Sequence, residues 1–574
     1  MITLGIHDGH TATACLLVDG AIAACISEER LSRTKEDGGF PRRAIQACLD
    51  LAGVAPEEID GVAIAGLMQP TLHENYDEST TYKKAFSLGS KVLPESVLID
   101  DKWVDVALKV GHRKRNVARI EAHLAELGIM ARPKFYEHHF LHAVTAHYTA
   151  HFGCERNLVL TNDGSGDATA ATVNIGTTTK LERIARISNY NSIGEFYTRT
   201  TQFLGMKPMS HEYKVMGLAP YAKEKYARQT YEKIRGFFEF NGNPLVFQNR
   251  SGYCRERYLD LFKELFARQR FDNISWAVQQ LVEDLLVQWV KNAIRETGIH
   301  RLVLSGGVFM NVKANNKLLL LDEVEELFIF PSGGDESLPI GAAIAMSMEL
   351  GFTDIQPLGP LYLGPEIDAA EAREVAAKAG AEFSVTEPEN MDEFLAEQLA
   401  AGKILARCIG RMEWGARALG NRSIIADASD RSILNRINKA IKNRDFWMPF
   451  APSILHERVD DYLINPKNFF APYMVVAMET KEAAQCDLAA AIHPSDFTAR
   501  PQMVAEEWNP GYYRMIKAFE RRTGRGGILN TSFNIHGEPI AMTASDAYDT
   551  FARSDLDGVA IGPVFISRYQ PGER

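Results

Sequence analysis

The chain has 574 residues, 46% hydrophobic and 24% charged, the balance of a globular protein long enough for two or more domains with separate cores. Its formal net charge of -11, from 63 Lys and Arg against 74 Asp and Glu, argues against nucleic acid and anionic membrane as general partners and leaves local basic clusters to serve small anions. Seven cysteines lie scattered without a C-x-x-C pair, no basic leader opens the chain and no long uncharged apolar stretch occurs, so reduced core thiols and a cytoplasmic protein are expected.

Thr3 to Ile6, Ala12 to Val18 and Ala21 to Ile26 read as a three-strand meander with turns at His7-Asp8-Gly9-His10 and Asp19-Gly20. Pro41 opens a helix on which Ile45, Cys48, Leu49 and Ala52 recur at helical spacing, and Gly53 closes it. Val62 to Ala65 is the next strand. From about Tyr76 to Leu127 the order is less regular, and Lys102 to Arg119 reads as a helical insertion or lid. In Glu137 to Ala143, His138 and His142 stand at i and i+4, so on a helix both imidazoles leave one face. Such a pair with carboxylates suits iron or another divalent transition ion, although a histidine pair also forms ordinary polar helix faces.

Leu158 to Leu160 runs into an acidic glycine loop, Asn162 to Asp167, and then into Ala168 to Val173. Strand, acidic turn and strand thus occur twice. That predicts duplicated lobes with a ligand cleft between them, and the pattern resembles the actin-like ATPase fold. Leu281 to Ile294 is an amphipathic helix ended by Gly298. Arg301 to Leu304 is a buried strand that delivers Ser305-Gly306-Gly307 to a helix beginning near Val308, a geometry suited to close approach by a nucleotide. Asp335 follows in a second glycine turn before the small-residue helix Ile340 to Ala345. The proline-rich run from Pro357 to Pro365 marks a linker, with the domain boundary near residue 356.

Beyond it, Arg411, Arg417 and Arg422 stand among glycines, and Asn530-Thr531-Ser532-Phe533-Asn534 brings short polar side chains. Planar guanidinium donors beside glycine-rich backbone are what phosphate-bearing small molecules require. Basic residues continue through Arg431, Arg436, Lys439, Lys442 and Arg444, about half of them readable as a solvated helix face.

The words GRMEWGARALGNRSI, MPFAPSIL and GILNTSFNIHGEPI closely resemble the C-terminal domain of the NodU/CmcH (TobZ-like) family of O-carbamoyltransferases. Residues 1–356 resemble that family's N-terminal domain, most weakly over 68–127. The resemblance implies an α/β protein. Its first domain is TsaD-like, of the actin-like class with duplicated ribonuclease H-like lobes, and its second, residues 357–574, is YrdC-like. It further implies that the second domain makes carbamoyladenylate from carbamoyl phosphate and ATP, with Mg2+ accompanying ATP, through Arg411, Arg417, Arg422, Lys442, Arg444, Asn530 and Ser532. The first domain then binds the adenylate through Lys214, Ser305, Gly306, Gly307 and Asn311. A metal, Fe2+ by the resemblance, is held by His138, His142, Asp163 and Asp335. His10 activates the hydroxyl of a small-molecule acceptor, a natural product or sugar.

TsaD-type sequences carry one more residue between the double histidine and the third, which leaves His139 as the alternative to His138. The family's His-Asp reads His10-Thr11 here, with His7-Asp8 just upstream. A homodimer is compatible with the reading; nucleic acid and membrane are not expected as partners. The alternatives are a threonylcarbamoyl-type tRNA-modifying transferase, which the acidic charge opposes; a sugar kinase, which leaves the C-terminal motifs idle; and a non-enzymatic actin-like regulator.

Overall fold

The structure, a computed structural model, describes residues 1–68, 116–442 and 444–569. It divides into two compact units: Met1–Glu28 with Glu36–Leu358, and Glu29–Lys35 with Gly359–Arg574.

In the first unit, β1 (Ile2–His7), β2 (Thr13–Val18) and β3 (Ala21–Ser27) form an antiparallel meander, and β4 (Gly61–Ala65) and β5 (Pro133–Tyr136) continue the sheet in parallel beyond β1, in the order β3-β2-β1-β4-β5. The second sheet repeats this plan. There β6 (Asn157–Gly166), β7 (Thr169–Gly176) and β8 (Leu181–Ser188) make the meander, and β9 (Arg301–Ser305) and β10 (Glu326–Ile329) extend it in parallel beyond β6, in the order β8-β7-β6-β9-β10. Two ribonuclease H-like lobes of identical strand order are the actin-like fold. Central strands such as β1 and β4 are apolar and buried along nearly their whole length, because parallel strands in such sheets are covered on both faces.

Helix α1 (Arg42–Ala52) buries Ala44, Ile45, Cys48 and Leu49, and Gly53 ends it in the left-handed conformation (φ 62). Helix α2 (His138–Thr149) starts at Glu137, whose carboxylate accepts from Phe140 N at 2.7 Å. Helix α3 (Phe271–Thr297) begins ten residues before Leu281. Its first turns bury Asp272, Asn273, Ser275 and Gln279, and these polar residues interrupt the apolar periodicity that would have announced them. Helix α4 (Leu338–Glu349) lies against both β1 and α2. A Cβ at Gly5 would meet Pro339 O at 1.8 Å, and one at Gly341 would meet Thr145 Oγ1 at 2.3 Å.

Two local expectations change. The acidic loop from Asn162 is strand as far as Gly166, so the turn shrinks to Asp167-Ala168, both at positive φ (47 and 61) as a tight hairpin turn requires. The helix expected from Val308 starts instead at Val312. Residues Gly307–Met310 form a 3-10 turn, and Asn311 caps the helix by accepting from Ala314 N. The insertion expected over Lys102 to Arg119 lies outside the described residues as far as 115, and Val117–Glu126 is helical.

The second unit is built on an eight-stranded mixed sheet. Its strands are β11 (Phe383–Thr386), β12 (Leu405–Cys408), β13 (Arg422–Ala426), β14 (Ala451–Leu455), β15 (Gln502–Val504), β16 (Gly527–Ser532), β17 (Gly558–Ile561) and β18 (Val564–Arg568), in the order β11-β18-β17-β12-β13-β16-β14-β15. Helices α5 (Met391–Ala400) and α6 (Pro510–Thr523) cover it, burying Leu395, Leu399, Met515, Ile516 and Phe519. Antiparallel pairing of β13 with β16 sets Ser423 opposite Ser532, so the two C-terminal motifs become neighbours. No helix among the described residues is long and apolar enough to cross a membrane.

Candidate functional site

Four side chains converge in the first unit. His138 and His142 leave one face of α2, Asp163 stands near the end of β6, and Asp335 follows β10. His138 Nε2 lies 3.3 Å from Asp163 Oδ2, 3.4 Å from Asp335 Oδ1 and 3.1 Å from His142 Nε2. His142 Nε2 is 4.0 Å and 3.9 Å from the same two carboxylates. Burial works to lower the His138 pKa, but Asp335 and Asp163 outweigh it and push it up to about 10. His142, buried beside that imidazole, is held well below the ordinary range. Two imidazole nitrogens and two carboxylates aimed at one point are the donor set of a divalent transition-metal site, and these four residues can hold one ion.

The surroundings fix this donor set. Behind His142, Nδ1 faces Ser305 Oγ at 3.4 Å and Ser337 Oγ at 3.5 Å. Asp163 keeps Oδ1 for Gly307 N at 3.0 Å, so the glycine turn positions the carboxylate. Asp167 accepts from His138 N at 2.9 Å, which ties the start of α2 to the β6–β7 turn. A Cβ on Gly166 would stand 2.1 Å from the His138 ring, so only glycine fits beneath it. His139 turns away: Nδ1 meets Thr161 Oγ1 at 2.8 Å and Nε2 meets Thr169 O at 3.1 Å. That settles which histidine of the pair faces the carboxylates.

Asp335 faces the first lobe with its other oxygen. Oδ2 is 3.5 Å from His10 Nδ1 and 3.7 Å from His7 Nε2, while His7 Nε2 donates to His10 O at 3.1 Å. His7 is buried and bent back onto the turn, whereas His10 is partly open. The remaining expected residues of this unit divide. Ser305, Gly306 and Gly307 line the turn beside Asp163. Asn311 exchanges amide hydrogen bonds with Gln279 (2.9 and 3.0 Å) while capping its helix. Lys214 is half-buried on the helix Glu212–Leu218.

A different chemistry occupies the second unit. Lys442, on a π-helical turn (Asn438–Lys442), is 2% exposed and donates to Ser532 Oγ (3.2 Å), Asn534 O (3.1 Å) and Asn534 Oδ1 (2.7 Å), all neutral oxygens. Burial, then Arg444 and Lys35, hold its pKa well below the usual lysine value. Arg444 donates to Thr531 Oγ1 at 2.9 Å. Arg500 is likewise held well below its ordinary value, by burial and then by Arg417 and Arg444, and its Nε is buried without a hydrogen-bond partner. Lys35 is paired with the Glu29 carboxylate at 3.1 Å, but Lys442, Arg444 and Arg500, gathered in a low dielectric beside neutral acceptors, form a ready site for a multiply charged anion. Neither Arg500, in Thr498-Ala499-Arg500-Pro501, nor Lys35 stands in a motif that sequence reasoning could single out.

Three expected anion ligands have other partners. Arg422 is fully buried and spends its guanidinium on the backbone oxygens of Met542, Gly410, Asn421 and Pro365 (3.0–3.3 Å). Asn530 is buried and donates to Ala418 O, Ser453 Oγ and Gln502 Oε1. Arg411 is exposed and donates to Gly364 O at 3.1 Å. The solvated helix face is accurate for Arg431, Arg436 and Lys439, and Lys442 departs from it.

Models of the carbamoyltransferase N-terminus and C-terminus match residues 2–344 and 396–568. The nodulation protein NolNO of Sinorhizobium fredii is 33% identical over 570 residues, covering 98% of this chain and 79% of the relative. NolO of Bradyrhizobium diazoefficiens is 35% identical over 439 residues, 76% of this chain and 79% of the relative. The 3'-hydroxymethylcephem-O-carbamoyltransferase of Amycolatopsis lactamdurans is 29% identical over 269 residues, 46% of this chain and 49% of the relative. With both halves matched and a 33% identical relative aligned over 98% of this chain, the chain belongs to the carbamoyltransferase family, of the NodU/CmcH type, and is an enzyme of that class.

Proposed function

We propose that this carbamoyltransferase activates its carbamoyl group as carbamoyladenylate in the second unit and passes it to a hydroxyl of a small-molecule acceptor in the first. Carbamoyl phosphate is hydrolysed to carbamate and inorganic phosphate. A carbamate oxygen then attacks the α-phosphorus of ATP, the bond to pyrophosphate breaks, and carbamoyladenylate forms. The observation that carries this reading is buried Lys442, gathered with Arg444, Arg417, Arg500 and Lys35 and held by neutral oxygens. Fixed positive charge of this kind stabilises phosphoryl oxygens without reorganising during the reaction.

In the first unit the acceptor oxygen attacks the carbamoyl carbon and AMP departs. The hydroxyl proton goes to His10, whose Nδ1 faces Asp335 and leaves Nε2 to accept it. A divalent metal, iron in our reading, supplies Lewis-acid neutralisation of the adenylate phosphate when held by His138, His142, Asp163 and Asp335. The acceptor is a natural product or sugar, in keeping with the cephem named for one relative and the nodulation proteins named for others. The acidic balance disfavours a tRNA acceptor.

Labelled pyrophosphate should exchange into ATP only when carbamoyl phosphate is present. Lys442→Ala should lower that exchange by roughly two to three orders of magnitude, as loss of one preorganised charge commonly does, and should leave transfer from supplied carbamoyladenylate intact. Exchange that ignores carbamoyl phosphate, or a Lys442→Ala variant that exchanges normally, refutes the adenylate route.

A further inference from the structure

Residues Glu29–Lys35 leave the end of β3, yet they belong to the second unit. Their contacts there fall on the loops that carry the anion cluster. Arg30, buried, donates Nη2 to Gly415 O at 2.9 Å, two residues before Arg417. Arg33 donates Nη1 to Ile540 O at 2.7 Å and Nη2 to Pro539 O at 3.0 Å, with Nε 3.5 Å from Asp546. Between the two arginines, Leu31 packs on Met412, Ile540 and Met542. Arg33 itself is in the left-handed region (φ 61), a conformation an arginine keeps only when its contacts hold it there.

The loop that Arg33 grips is the one that holds Lys442. Ala541 N donates to Phe533 O at 2.9 Å, which closes residues 533–541 into a loop. Inside it, Asn534 donates to Glu538 O at 2.7 Å and presents both its oxygens to Lys442 Nζ. A guanidinium forked onto two successive carbonyls fixes position and direction together, which a single hydrogen bond cannot do. The far end of this loop is therefore anchored by a residue from the first 35 of the chain.

Resting on the adenylate-forming reading above, we infer that Arg33, aided by Arg30, is a positioning residue of the second unit's anion site: it clasps the 533–541 loop so that Asn534 aims Lys442 at the phosphate ligand. Arg33 touches no reacting atom. Its effect reaches the ligand through Pro539, Ile540 and Asn534.

The full-length chain tests this by direct calorimetric binding of inorganic pyrophosphate, alongside KM for carbamoyl phosphate in the exchange reaction. Arg33→Ala should weaken pyrophosphate binding and raise that KM by about tenfold to a hundredfold, the scale of misplacing a binding group by an ångström. The rate of transfer from supplied carbamoyladenylate should be unchanged. Arg33→Lys, which keeps the charge and loses the fork, should fall between wild type and Arg33→Ala, and it serves as the readable variant if alanine prevents folding. Lys442→Ala is the reference. If Lys442→Ala loses pyrophosphate and both Arg33 variants bind it as wild type does, the clasp is refuted and the site stands. If Lys442→Ala also binds normally, the site reading falls and the clasp falls with it.

Discussion

Asp335 divides its carboxylate. One oxygen lies among His138 and His142 on α2, and the other faces His10 and His7 in the first turn of the chain. A carboxylate shared between two histidine pairs links the residues that could hold a metal to the residue that could take a proton. His142→Ala removes a nitrogen that is fully buried and backed by Ser305 and Ser337, so no solvent-exposed group can replace it. After anaerobic loading with Fe2+, this variant should retain well under half the metal of the wild type, and Asp335→Ala likewise. His139→Ala should load normally, because both its ring nitrogens are engaged elsewhere. Stoichiometric iron in both His142→Ala and Asp335→Ala would remove the metal assignment.

Among the elements, the contact of α4 with β1 leaves the least room. Gly5→Ala would drive a methyl group into Pro339 O, and neither backbone can yield without separating the helix from the sheet. The expected cost is about 3 kcal/mol or more, above the usual range for overpacking, and thermal unfolding followed by circular dichroism measures it. Gly53→Ala has open space around its Cβ and only the left-handed φ to contend with, so it should cost about 1 kcal/mol.

The same elements show what the amino-acid order reveals. Alternating and continuous apolar runs marked β1, β2, β3, β4 and β9, and proline and glycine bracketed α1, because those signals are local. The i,i+4 spacing placed His138 and His142 on one helix face for the same reason. The start of α3 escaped because its first turns bury polar residues, and Gln279 among them is satisfied by Tyr197 and Asn311 from other elements, contacts that sequence does not display. Arg422 and Lys442 illustrate the limit for sites: both are basic residues in motif-like settings, and only the fold shows that backbone carbonyls occupy one guanidinium while the other cation is gathered with like charges.

At the scale of the whole molecule, the His/Asp cluster and the buried cation cluster lie in different compact units, so under the proposed division of the reaction substitutions should separate the two steps. His10→Asn removes the proposed proton acceptor and leaves Lys442, Arg444 and Arg500 untouched. It should lower transfer from supplied carbamoyladenylate by roughly two to four orders of magnitude, while pyrophosphate exchange proceeds at the wild-type rate. Loss of exchange in His10→Asn would show that the two reactions are not divided in this way, and normal transfer would return the proton to another acceptor.

The placement of Arg33 also orders events in time. Its carbonyl partners lie 507 and 506 residues further along the chain. At translation rates of roughly 5–20 residues per second, the arginine emerges about 25–100 s before the atoms it will hold. The meander of the first lobe can form early from its own short-range hairpins, but the chain leading out of β3 must wait, unpaired with those acceptors, until Pro539 and Ile540 have been made. The 533–541 loop thus gains its Arg33 anchor only after some five hundred further residues have been made, whatever the order of the other elements.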